Sequence, residues 1–134
     1  MARTLIVDLP VADLPASVGF FTELGFAFRA DLTDDTASAM IVNEDAMIML
    51  LTRARYRELT GGESADPRTH PGAFLAFSAD RREQVDELLG AALARGGTAS
   101  GDPEDHGFLY GRSFRDPDGH AFQVVRTDPA GYAG

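Results

Sequence analysis

The chain has 134 residues, 44% of them hydrophobic, with a formal net charge of −9 and no cysteine. That length suits one domain with a real core, while the missing cysteine excludes disulfides, thiolate catalysis and cysteine-held zinc or iron–sulfur centres. The acidic balance argues against a nucleic-acid partner or an anionic membrane surface, which need clustered cations, and because every basic residue is arginine a lysine Schiff base is excluded too.

The opening MARTLIVDLPV holds a short apolar run broken by Asp8 and Pro10, too little for a signal peptide or a membrane span, so a cytoplasmic protein is expected. Leu5, Val7 and Leu9 alternate with Thr4, Ile6 and Asp8, as in a strand with one face against a helix and one mixed face. Asp8 falls on the mixed face, either as a general base beside an apolar patch or as a solvated carboxylate. Asp13 before Leu14 and Pro15 marks a helix start. Val18, Phe21 and Leu24 supply that helix's apolar stripe and Gly25 its stop. Runs at 26–32, 36–42 and 46–52, separated by Thr33-Asp34-Asp35 and Asn43-Glu44-Asp45, read as three strands. Met40, Met47 and Met49 are spaced as packing residues in them.

Residues 53–72 change character: an Arg-rich turn that can be helical as far as Leu59, then GGESADPRTHPG, which has no period and reads as a linker. An apolar run at 73–78 leads into a helix with Asp80 as N-cap and Glu83 at the third position. Val85, Leu88, Leu89, Ala92 and Leu93 form its stripe, ended by Gly96-Gly97. A short strand at 98–101, the loop DPEDHG and a closing hairpin follow. A strand running into an Asp-led helix thus occurs twice, at Asp13 and Asp80, 67 residues apart. The order is that of a βαβββ repeat: module one at 3–52, linker 53–72, module two at 73–126 and a polar, frayed tail at 127–134.

The closing hairpin, FLYGRSFRDPDGHAFQVV at 108–125, turns on Asp116-Pro117-Asp118-Gly119, a type I turn sequence. With Arg115 opposite His120, Phe114 faces Ala121, Arg112 faces Gln123 and Tyr110 faces Val125. Leu109, Phe122 and Val124 then lie on the other face, under a helix; a bulge at the turn would exchange these assignments. In that register Tyr110, Arg112 and Gln123 make the candidate site, a guanidinium beside a carboxamide able to fix a carboxylate or amide. Phe77, Phe108 and Phe114 are placed to stack an aromatic ligand with Tyr110. The alternatives are an ion pair of Arg112 with Asp8 or Glu44, and aromatics that are plain core.

DPDGHAFQVV resembles the closing hairpin of the vicinal oxygen chelate superfamily, which includes glyoxalase I, extradiol dioxygenases, and bleomycin- and fosfomycin-resistance proteins. LPVADLPASVGFFTELGF, at 9–26, resembles its opening strand, Asp-led helix and Leu-Gly-Phe exit. The resemblance implies an α+β fold of two βαβββ modules forming a curved mixed sheet, a homodimer and a small-molecule cavity. Catalytic members chelate a divalent metal with His and Glu on the opening and closing strands of each half. By spacing those positions fall on Ile6, Leu50, Ala73 and Gln123, which cannot supply the imidazole and carboxylate set such a metal needs. His70, His106 and His120 lie in a linker, a loop and a turn edge without paired spacing.

The expectation is therefore a metal-independent binding protein that sequesters a small, partly aromatic organic molecule, a drug or a metabolite, with no cofactor. Asp8, Phe77, Tyr110, Arg112 and Gln123 would contact the ligand, with Ile6, Leu50, Ala73 and Phe114 lining the cavity. The alternative is a lyase, isomerase or dioxygenase whose divalent metal is held by residues displaced from the usual positions.

Overall fold

A computed structural model describes residues 3–128; most of the expected tail lies outside them. The chain divides into two units, Met1–Ser64 and Ala65–Gly134, the division falling inside the expected linker. The architecture is α+β, with one mixed sheet in each unit.

The first unit runs β1 (Leu5–Val11), α1 (Leu14–Glu23), β2 (Ala27–Arg29), β3 (Ala37–Asn43), β4 (Ala46–Thr52) and α2 (Arg53–Thr60). Asp13 caps α1 by accepting from the Ala16 N–H at 3.1 Å, and Gly25 ends it at φ +101°. The buried side chains of α1 are Leu14, Ser17, Phe20 and Phe21, while Val18 and Leu24 are only half-buried, so the stripe is rotated from the expected one. Phe20 and Phe21 meet edge to face at 5.0 Å, and two adjacent phenylalanines that both go inside turn the helix towards Leu14 and Ser17. The strand expected over 26–32 stops at Arg29 and gives way to a 3₁₀ turn, Ala30–Leu32. Arg29 grips Asp31 through Nε and Nη2, and the Thr33 hydroxyl donates to the Arg29 carbonyl, local bonds that compete with a sheet ladder.

The first sheet has the order β1-β4-β3-β2, with β1 and β4 parallel. Residues side by side in the ladder share a face. Leu9 beside Leu50, with Val11, Ile48 and Met40, makes the buried face; Ile6 beside Met47 and Asp8 beside Met49 are on the opposite one.

The second unit runs β5 (Phe74–Ser78), α3 (Arg82–Ala94), β6 (Thr98–Ala99), β7 (Glu104–Asp105), β8 (Leu109–Arg115) and β9 (Ala121–Thr127), in the sheet order β5-β9-β8-β6 with β7 also on β8. The N-cap of α3 is Arg81 rather than Asp80. Gln84, not Glu83, is at the third position, and its Oε1 accepts from the Asp80 and Arg81 N–H groups at 2.9 and 3.1 Å. An arginine side chain has no acceptor, so the reciprocal bond of a capping box is not available. The end of the expected linker is ordered into a turn: the His70 N–H donates to the Asp66 carbonyl at 2.8 Å, and Pro67 is buried.

The closing hairpin corrects the expected register. The pairs are Arg115 with Ala121, Phe114 with Phe122, Ser113 with Gln123, Arg112 with Val124 and Tyr110 with Arg126. The Asp116 N–H donates to the His120 carbonyl at 3.1 Å, so the loop is Pro117-Asp118-Gly119 with glycine at φ +96°, a three-residue connection with a left-handed last residue. That glycine adds the residue that shifts one strand past the other, and a one-residue slip moves side chains to the other face. Phe77, Phe114 and Phe122 form a stack, with centroids 5.7 and 5.5 Å apart. Val85 of α3 packs with Tyr110 and Val124, which identifies this face as the one under the helix.

Candidate functional site

The new register divides the expected site between two faces. Tyr110, Arg112, Phe114 and Phe77 all lie on the face covered by α3, whereas Gln123 lies on the open one. Phe77 and Phe114 are core, 7% and 0% exposed. Arg112 does not face Gln123; it faces Val124 and turns to α3.

There Asp86 receives the Tyr110 hydroxyl at 2.6 Å and Nη1 of Arg112 at 3.5 Å. The bond to Asp86, followed by burial, raises the pKa of the Tyr110 phenol, because ionised tyrosine would lose its proton donor beside a carboxylate. Arg82, one turn before Asp86 on α3, places its guanidinium 4.1 Å from the centroid of the Tyr110 ring. Arg82 also grips Asp105 of β7 with both Nη atoms at 3.2 and 2.7 Å. That grip, with the Gly107 N–H, holds the Asp105 carboxyl down at about 2. Arg112 was expected to pair, if not with a ligand, with Asp8 or Glu44; its acid is Asp86. The one available signal was the Arg82–Asp86 spacing of four, which puts both on one helix face.

The open face of the second unit is built around Gln123. Its neighbour on β5 is Ala76 and on β8 Ser113. The carboxamide lies over Gly111, where an added Cβ would come 3.0 Å from Nε2 of Gln123 and 3.4 Å from its Cδ. Ala76, Ser78, Gly111 and Ser113 are all small, so the surface round the amide is shallow and accessible. Phe74, on the same face, is 58% exposed. On the first unit's open face are Ile6, 52% exposed, Asp8, Met47 and Met49. Leu50 is on the buried face beside Leu9 at 0% exposure and does not line the open one. Ala73 lies just before β5.

A family model for the Glyoxalase/Bleomycin resistance protein/Dioxygenase superfamily matches residues 3–124. The chain belongs to that superfamily. Among curated proteins none matches, but solved structures do. A superfamily enzyme from Burkholderia phytofirmans PsJN is similar with a TM-score of 0.80 and 20% identity over 94% of this chain and 99% of that one. A glyoxalase-related enzyme from Fulvimarina pelagi gives 0.78 and 21% over 95% and 89%. The fosfomycin resistance protein FosX of Listeria monocytogenes gives 0.66 and 18% over 94% and 90%. At these identities the likeness establishes the fold.

Members of the superfamily often hold a divalent metal, and the side chains of this chain can be tested against that role. Ile6 lies seven residues ahead of the α1 N-cap Asp13; the same step from the α3 N-cap Arg81 reaches Phe74, not Ala73. Two residues beyond Phe74, Ala76 neighbours Gln123. Two beyond Ile6, Asp8 neighbours Met49, which therefore takes the place assigned to Leu50. The corrected positions hold isoleucine and methionine in the first unit and phenylalanine and glutamine in the second. Two hydrocarbons, a thioether and a neutral amide do not fit zinc, iron or manganese in the divalent state. Among the described residues no three His, Cys, Asp or Glu side chains group closely enough to hold a metal ion.

Proposed function

We propose that this superfamily member is a metal-independent binding protein for a small organic molecule, acting by sequestration of a drug or metabolite in the cytoplasm as a homodimer. The observation that carries the reading is the set Ile6, Met49, Phe74 and Gln123 at the positions where a chelating member needs imidazoles and carboxylates. Without a Lewis acid, the face round Gln123 offers recognition. The carboxamide offers N–H donors and a carbonyl acceptor side by side, and the exposed Phe74 ring supplies a stacking surface. The ligand this suits carries an aromatic or flat apolar part and an amide, carboxyl or hydroxyl.

The test is metal analysis of protein purified without added chelator, followed by a ligand screen by thermal shift. Metal far below one per chain is expected, with a melting temperature indifferent to EDTA. Hits from the screen should lose roughly fivefold or more in affinity in Gln123→Ala, as for loss of a neutral hydrogen bond. One divalent ion per chain would overturn the reading in favour of a lyase, isomerase or dioxygenase.

A further inference from the structure

Residues 102–106 run from β6 towards β8 between two glycines in the left-handed region, Gly101 at φ +75° and Gly107 at φ +81°. Every residue between those glycines is exposed. Two ladder pairs hold the segment, Glu104 with Gly111 and Asp105 with Tyr110, and the His106 N–H donates to the Leu109 carbonyl at 2.9 Å. A stretch held by exposed backbone bonds, with no side chain in the core, belongs to the low-stability end of a fold.

Its two neighbouring acids lie on opposite faces, as successive strand residues do. Asp105 is on the face under α3, where Arg82 grips its carboxylate with both Nη atoms while lying over the Tyr110 ring. That grip is the one side-chain hydrogen-bonded tie from 102–106 to another element among the described residues; the bonds of Glu104 to His106 and of Gly107 to Asp105 are internal to the loop. Glu104 is on the open face beside Gly111, and the Gln123 carboxamide lies over Gly111 from the opposite flank. One short segment thus carries one acid to the helix side of the sheet and one to the edge of the Gln123 face. The Asp105 carboxyl is held at about 2, first by Arg82, so the tie is charged at neutral pH and responds to salt.

We propose that residues 102–106 are a strap, hinged at Gly101 and Gly107 and latched by Arg82, whose release uncovers the Gly111 flank of the Gln123 face; the gating role rests on that face being the ligand site. Closed, the strap stands Glu104 at the edge of the face. Open, it removes Glu104 and His106 together and frees the strip over Gly111 beside the carboxamide. Arg82 is a positioning residue here: it acts on the open face from the other side of the sheet, through the strap.

The experiment is amide hydrogen exchange of the full chain followed by NMR, which needs no ligand and so tests the strap separately from the metal analysis and ligand screen that test the face. In Arg82→Gln the His106 amide should exchange roughly three- to tenfold faster, as for loss of an exposed ion pair and a cation–π contact. The Ser100 amide, which donates to the Ser113 carbonyl at 2.9 Å just outside the hinge, should keep its rate. Glu83→Gln, an exposed neighbour on α3, should change neither. Salt at about 1 M should speed His106 exchange in the unsubstituted chain and not in Arg82→Gln. The side-chain amide resonances of Gln123 should shift or broaden in Arg82→Gln although the two residues lie on opposite faces. An unchanged His106 rate, or His106 and Ser100 speeding up equally, overturns the latch; a faster strap with unmoved Gln123 resonances overturns the gating.

Discussion

Two arginines three residues apart on β8 have opposite fates. Arg112 turns under α3 to Asp86, and Arg115 turns to the open side, where the Pro67 and Gly119 carbonyls hold its Nη1. An odd separation on a strand puts two residues on opposite faces, so which arginine lies under the helix is decided by register alone. The lesson is that a cation's role cannot be read from its type or its aromatic neighbours. It follows from what its face is packed against.

The register depends on Gly119, so the largest effect should come from there. A Cβ at Gly119 would lie 2.8 Å from both Cα and N of Arg68, and φ is +96°. Gly119→Val is strained by the backbone conformation and obstructed by a neighbouring main chain, costing roughly 1–3 kcal/mol or more. Gly72→Val, with open space where its Cβ would go, is the control. Thermal melts should show a drop of several degrees for the first and little change for the second. Equal melting temperatures would mean that the loop tolerates another register, and with it another division of the two arginines.

Much of this was legible in the sequence and part was not, for separable reasons. LPVADLPASVGFF announced a strand and an Asp-capped helix because caps and periodicity are local. DPDG announced a hairpin for the same reason. What the four letters do not fix is whether the loop contains three or four residues, and that choice moved Tyr110 and Arg112 under α3. Leu50 falls on the buried face and its neighbour Met49 on the open one, because spacing along a chain does not specify ladder partners. The spacing of Arg82 and Asp86 put both on one helix face but did not name Arg112 as the partner, because that depends on how α3 lies over β8. The turn at Arg68 was hidden in a stretch that reads as linker; the buried Pro67 and the bonds to its turn reveal it as part of the second unit.

An intermediate effect should come from Asp116, which lies on the Arg115 side of the comparison. Burial raises its carboxyl from 3.8 to about 6, against the field of nearby His120 and with the help of Asp118. The folded state therefore binds the proton more tightly than the unfolded chain. Its contribution is fully present below pH 4 and is lost as pH rises through 6, a change on the order of 1–3 kcal/mol. Asp116→Asn cannot titrate, so chemical denaturation should find the variant ahead of the unsubstituted chain at pH 7, with the gap closing towards pH 4. A gap that widens on acidification would show that the carboxylate is stabilised by a donor in the fold.

The smallest effect belongs to the other arginine. Arg112 approaches Asp86 at 3.5 Å with 26% of its side chain exposed, and Asp86 is 55% exposed. A pair this long and this wet is screened by solvent and contributes about 0–1 kcal/mol. Asp86 also keeps its stronger contact, the Tyr110 hydroxyl at 2.6 Å, when Arg112 is gone. Arg112→Ala should therefore lower the melting temperature by a degree or two at most, with the difference shrinking in high salt. It should leave untouched the affinity for any molecule that binds around Gln123. Melts in low and high salt and a ligand titration on this one variant make the comparison sharp: a stable Arg112→Ala protein that loses the ligand of the Gln123 face would return Arg112 to a binding role and show that its tie to Asp86 opens in solution.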